Sequence, residues 1–121
     1  MLLPISDQRS PFDPYRWKNR ILVINQEMKG SQNQLDGFLQ KTEELDDRDL
    51  LVFVQEGDRL ICKNAEIKPL STDTQNYPGV TLIGKDGGVK LKQDEMVDLQ
   101  VIFDLIDSMP MRRSEMRRKN D

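Results

Sequence analysis

Ile21-Leu22-Val23-Ile24 and Leu50-Leu51-Val52-Phe53-Val54 are apolar at every position, and these two runs decide the fold. A strand with one wet face alternates. An unbroken, β-branched run belongs to a strand covered on both faces, as at the centre of an α/β sheet. The stretch between the runs breaks at Gly30 and resumes with Ser31 and Gln34, spaced as a capping box. Leu35, Phe38, Leu39, Thr42 and Leu45 then recur at helical spacing, which predicts one helix with a single buried stripe. Asp46-Asp47-Arg48-Asp49 reads as the turn that follows. Strand, helix and strand joined by a crossover of this length form a right-handed parallel βαβ unit.

Further along, Val80-Thr81-Leu82-Ile83 and Val89-Lys90-Leu91-Lys92 flank Gly84-Lys85-Asp86-Gly87-Gly88. Asp-Gly between two strand-like runs predicts a hairpin with a type I′ turn, whose central residues both need positive φ. The last long helix carries the stripe Leu99, Ile102, Phe103, Ile106 and Met109. Asp94 or Asp98 can cap it, and Pro110 stops it. Residues 111–119 can add a charged helical turn or two. Residues 56–78 are the least regular: Leu60, Cys62 and Ile67 alternate in part, residues 71–75 are loop, and no helical pattern emerges. The chain therefore divides into an extended arm with Pro4, Pro11 and Pro14 (1–14), one domain (15–111) and a basic tail (112–121). The element order is βαβ, an irregular connection, then ββα. That is the order of the thioredoxin fold, a three-layer α/β sandwich, with the irregular connection replacing its linking helix.

At 121 residues the chain supports one core. Its single cysteine excludes an internal dithiol–disulfide pair. The absence of histidine removes Ser-His-Asp and Cys-His catalysis and His-ligated zinc. No apolar run approaches the roughly 20 residues of a membrane helix. The first residues lack a charged n-region and an apolar h-region. The expectation is a cytoplasmic protein, or a periplasmic or secreted one if a signal has been removed. The net charge of −3 conceals an excess of basic residues in 112–121, which hold Arg112, Arg113, Arg117, Arg118 and Lys119 against Glu115 and Asp121.

In a thioredoxin-type fold the thiols sit where the first strand meets the first helix, because a helix N-terminus stabilises a thiolate. Here that junction, Asn25-Gln26-Glu27-Met28-Lys29-Gly30-Ser31, holds no cysteine. Gly30 and Ser31 could receive an anion on free backbone N–H groups, although Ser31 reads more simply as a cap. Pro78 lies about one residue early for the cis-proline of such folds. Cys62 is the weak catalytic candidate: its apolar neighbours suggest an inert thiol, while Arg59 and Lys63 are the cations that could activate it. Gly84-Lys85-Asp86-Gly87-Gly88 lacks the spacing of a phosphate loop. Met109, Met111 and Met116 are better packing residues than copper ligands, and the acidic groups near 43–47 read as solvated surface. No metal or cofactor is expected. Trp17 among Arg16, Lys18 and Arg20 could suggest nucleic acid, but a pI near 5.0 speaks against it.

Three segments together resemble one family. Tyr15-Arg16-Trp17-Lys18-Asn19-Arg20 leads into the first strand. Thr81-Leu82-Ile83-Gly84-Lys85-Asp86-Gly87-Gly88-Val89-Lys90-Leu91 forms the hairpin, and Leu105-Ile106-Asp107-Ser108-Met109-Pro110-Met111-Arg112-Arg113-Ser114-Glu115-Met116 ends the domain. The chain is similar to the domain of unknown function family numbered 4174, over about residues 12–117. The resemblance implies a thioredoxin- or peroxiredoxin-like fold without the redox cysteines, found in small bacterial proteins and in secreted matrix proteins. It supplies no catalytic residue. The expectation is a non-catalytic module that binds another protein, with contacts at Tyr15, Arg16, Trp17, Lys18, Arg20, Met109, Met111, Arg112, Arg113 and Arg117. The rival is a monothiol redox or peroxide-linked enzyme using Cys62.

Overall fold

The two apolar runs lie side by side at the centre of a sheet. In this computed structural model, which describes residues 10–72 and 76–120 with side chains through 118, β1 (Arg20–Asn25) runs parallel to β2 (Leu50–Glu56). Leu22 lies opposite Val52 and Ile24 opposite Val54. β2 turns antiparallel into β3 (Arg59–Cys62), which pairs with the short β4 (Leu70–Ser71). On the other side β1 pairs antiparallel with β5 (Val80–Ile83), and β5 with β6 (Val89–Gln93). The six-stranded order is β4-β3-β2-β1-β5-β6.

Both faces of the central strands are buried, as the unbroken runs require. Leu22 and Ile24 point toward one core with Leu35, Phe38, Leu45, Ile102, Phe103 and Ile106. These come from α1 (Ser31–Leu39), α2 (Thr42–Asp47) and α3 (Leu99–Asp107). Ile21 and Val23 point toward a second core with Phe12, Phe53, Leu60, Tyr77 and Ile83. Among the described residues the second face carries no α-helix, only the short 3-10 turn Asp13–Tyr15. Phe12, Tyr15, Ile67, Leu70 and Tyr77 cover it from the chain's beginning and from the 56–78 connection. Its described residues hold no α-helix, and they are not irregular throughout: Leu60 and Cys62 belong to β3, which widens the sheet.

Three local expectations change. The predicted single helix is two, because the chain turns at Gln40-Lys41; Thr42 is exposed, its hydroxyl donating to Leu39 O at 3.2 Å. The capping box does not form. Gly30 is the N-cap at φ +80°, and Ser31 Oγ donates to Gln26 O at 2.8 Å. Gln34 instead clasps the Val97 backbone, donating to its carbonyl at 2.9 Å and accepting from its N–H at 2.6 Å. In the hairpin, positive φ occurs at Gly87 (+87°) and not at Asp86, so the turn is not type I′. Gly87 N–H closes on Gly84 O at 3.0 Å, and five residues separate Ile83 from its partner Val89. The Tyr77–Pro78 bond is trans, as are all described peptide bonds.

Asp98 caps α3, accepting from Gln100 N–H at 2.8 Å. Pro110 both stops α3 and opens α4 (Pro110–Asn120), the first helical position that proline suits best. Residues 112–120, read as a tail, are therefore mostly one helix docked on the domain. No described helix is long and apolar enough to cross a membrane.

Candidate functional site

The junction of β1 and α1 is occupied by its own groups. Asn25 Oδ1 accepts from Glu27 N–H at 2.9 Å, and its amide donates to Tyr77 O at 3.1 Å. A Cβ built on Gly30 would fall on Met96 Sδ, so the methionine covers the helix start. The hollow beside Ser31 has about 50 Å³. Gly30 and Ser31 are thus adjacent, but the Ser31 hydroxyl is committed to Gln26, and Lys63, which also lines the hollow, pairs with Glu56. Among the described residues no group of His, Cys, Asp and Glu side chains is placed to hold a metal.

Cys62 ends β3, half-buried. Burial pushes its thiol pKa up, more than the backbone N–H groups of residues 63–65 pull it down. Its Sγ donates to Asn64 Oδ1 at 3.5 Å. Asn64 also serves β2, accepting from Val52 N–H at 2.9 Å and donating to Leu50 O at 2.8 Å. Lys63 reaches Glu56 at 3.9 Å rather than the sulfur. The surroundings favour the protonated thiol.

The molecule's charges converge instead where β1 begins, at the end of the sheet opposite that junction. Arg20 is 1% exposed, and its guanidinium takes both oxygens of Glu115 at 3.1 and 3.2 Å. Lys85, at the hairpin turn, points inward and donates to Glu115 at 2.7 Å and to Asp49 at 2.9 Å. Burial alone would raise the Glu115 pKa, but hydrogen bonds and charge from Arg20 and Lys85 outweigh it and hold the carboxyl below its ordinary value. Arg112 stands beside this group, bonded to Asp107 at 2.9 Å and to Asp47. Arg48 completes the set, paired with Asp107 at 2.8 Å and stacked 4.6 Å from the Phe103 ring centre. One α4 glutamate thus answers two buried cations from β1 and the hairpin.

A groove of about 210 Å³ opens over this ion cluster. Leu105, Met109, Pro110 and Met111 form its apolar wall, and Arg20, Lys85, Asp86 and Lys90 line the other side. Trp17 is tied by its backbone to Lys85 of the turn that lines this groove. Its backbone N–H donates to Lys85 O at 2.7 Å, its φ is +70°, and the residue is 59% exposed. Arg16 stacks on the indole at 5.4 Å and flanks Gly87 of the turn.

The expected contact residues therefore separate. Arg16, Trp17, Lys18, Met111, Arg113 and Arg117 are exposed, and Met109 is partly buried in the groove wall. Arg20 and Arg112 are corrected to internal members of the ion cluster, buried because they anchor α4. Tyr15 packs on Phe53 with ring centres 6.4 Å apart, in the second core. Sequence reading missed Lys85 and Glu115. Glu115 gave one signal, a lone acid at the middle of a basic run, but Lys85 in a glycine-rich turn reads as solvated.

The family described as a domain of unknown function (DUF4174) matches residues 11–115. No curated protein and no solved structure matches the chain.

Proposed function

From membership of the DUF4174 family, to which this chain belongs over residues 11–115, we propose that it is a protein-interaction module on a thioredoxin-like scaffold that performs no thiol chemistry. The carrying observation is the exposed Trp17, held by its backbone on the hairpin turn that also lines the groove of Leu105, Met109, Pro110 and Met111. Aromatic and methionine side chains grouped at a surface supply most of the energy of protein contacts. The surrounding charges are engaged in folding rather than aimed at a reacting atom, which supports binding over catalysis.

The scaffold reading rests on the strand order β2-β1-β5-β6, with a parallel pair, two antiparallel pairs, a helix between β1 and β2, and a helix after β6. That arrangement is similar to the thioredoxin core, with residues 25–31 where the thiols would lie. The raised pKa of Cys62 weakens the monothiol alternative.

A photo-crosslinking residue placed at Trp17, Met111 or Gln32 tests the reading in cells of the native host. Positions 17 and 111 are expected to yield a common adduct that position 32, exposed on α1, does not. Equal labelling from all three sites, or no adduct at 17 and 111, would refute an interface there.

A further inference from the structure

We propose that this chain pairs with a second copy of itself about a two-fold axis, each copy seating its Trp17 indole in the other's groove between the hairpin turn and the α3–α4 junction. The inference rests on the interaction reading above and names the partner. Place sets the first constraint. Trp17 is 59% exposed and its backbone is bonded to Lys85 O, while Lys85 lines the groove. An aromatic projection and an apolar hollow thus share one turn, and a two-fold pair requires one patch to carry both halves of the contact. Size sets the second. An apolar cavity of roughly 150 Å³ holds a benzene ring. A groove of about 210 Å³ admits one indole and falls below the roughly 300–1,000 Å³ of small-molecule sites. Leu105, Met109, Pro110 and Met111 supply the apolar wall, and the two methionines can re-form around a flat ring.

Charge names the occupant. Glu115 is buried with Arg20 and Lys85, but two other carboxylates of the cluster face outward. Asp49 and Asp86 are each 46% exposed in side chain, against 8% for the Lys85 and 33% for the Lys90 that they pair with. The cations lie deep, and the mouth shows carboxylate to solvent. The projection carries the opposite sign on both sides. Arg16 and Lys18 are exposed, and neither has an ion-pair partner among the described residues. Other exposed cations, such as Lys29, Lys41 and Lys68, flank no exposed aromatic ring, because Trp17 is the one exposed aromatic among the described residues. An indole between two cations answers an apolar hollow rimmed by carboxylates. This chain bears both, on one turn, so a second copy supplies what the first lacks.

Trp17 is the sole tryptophan of the chain, so its emission reports the contact directly. Raising the full chain from about 1 µM to 1 mM is expected to shift that emission to the blue. The mass in sedimentation equilibrium should double over the same range. Raising salt from about 50 to 500 mM should weaken the pairing several-fold, because the rim charges are exposed and screened. Trp17→Ala removes the projection and Met111→Glu spoils the hollow, and each should weaken self-association about thirtyfold or more. Both positions are exposed, so neither change opens a core. Mixed in equal amounts, the two variants regain one of the two contacts and should associate more tightly than either alone. Met96→Glu, the same change at an exposed methionine over the start of α1, should stay within about twofold of the unaltered chain.

The pairing is overturned if the mass stays that of one chain throughout, if it doubles with the emission unmoved, or if the mixed variants associate no better than the single ones. Cross-links from positions 17 and 111 that join this chain only to a different protein would also sink it, while leaving the interaction reading standing. Absence of adducts at both positions would sink both.

Discussion

Glu115 shows how far one side chain's role departs from its neighbourhood in sequence. It sits in a run of arginines, yet its carboxylate is buried between Arg20 and Lys85. Removing one partner of a buried ionic group leaves the others uncompensated. Glu115→Gln is expected to destabilise the fold by about 2–3 kcal/mol in urea unfolding, whereas Glu44→Gln, at a half-exposed carboxylate paired with Arg48, should cost under about 0.5 kcal/mol. The pH dependence has a definite sign. Because the Glu115 pKa is lower folded than unfolded, its contribution is present above the unfolded value, about 4.3, and is lost as pH falls through the folded one. Urea midpoints measured from pH 7 downward should therefore fall in acid, and Glu115→Gln should flatten part of that fall. Trp17 belongs to the same scale. The residues flanking it revealed its charge environment, but its exposure and left-handed backbone came from its bond to Lys85 O, a partner far along the chain.

α4 is the element whose role was least legible. Its composition is that of a solvated segment, and a helical pattern with so few apolar positions gives no stripe to read. It docks through Arg112 and Glu115 rather than through a hydrophobic face. Ending the chain after Met109 should strand Arg20 and Lys85 without their carboxylate. The expected outcome is a lowered melting temperature and dye-binding apolar surface, while ending it after Arg118 should leave the melt unchanged. By contrast, β1, β2 and α3 were legible because burial on both faces, or along one stripe, writes an apolar pattern directly. The hairpin was legible as a hairpin but not in its turn type, since Lys85 is drawn into the ion cluster and leaves positive φ to Gly87 alone. The split between α1 and α2 was hidden because Thr42 falls at helical spacing although it faces water.

Across the whole molecule, two apolar cores share one sheet, and neither can open without exposing β1 and β2. Unfolding should therefore be a single transition, with far-ultraviolet and near-ultraviolet dichroism giving coincident curves; separated curves would show that the second core, covered by loops, melts alone. The sequence by itself determined the central βαβ unit, the final apolar helix, the absence of a dithiol and of histidine, and the family. Those follow from composition and short-range periodicity, which the chain carries locally. Only the tertiary structure decided that the 56–78 connection adds strands, that the described cover of the second face is loop side chains and a 3-10 turn rather than an α-helix, and which basic residues are buried. Arg20 and Arg112 look no different from Arg16 and Arg113 in the sequence. Their fate depends on carboxylates brought from positions up to 95 residues away, and no local pattern encodes such pairings.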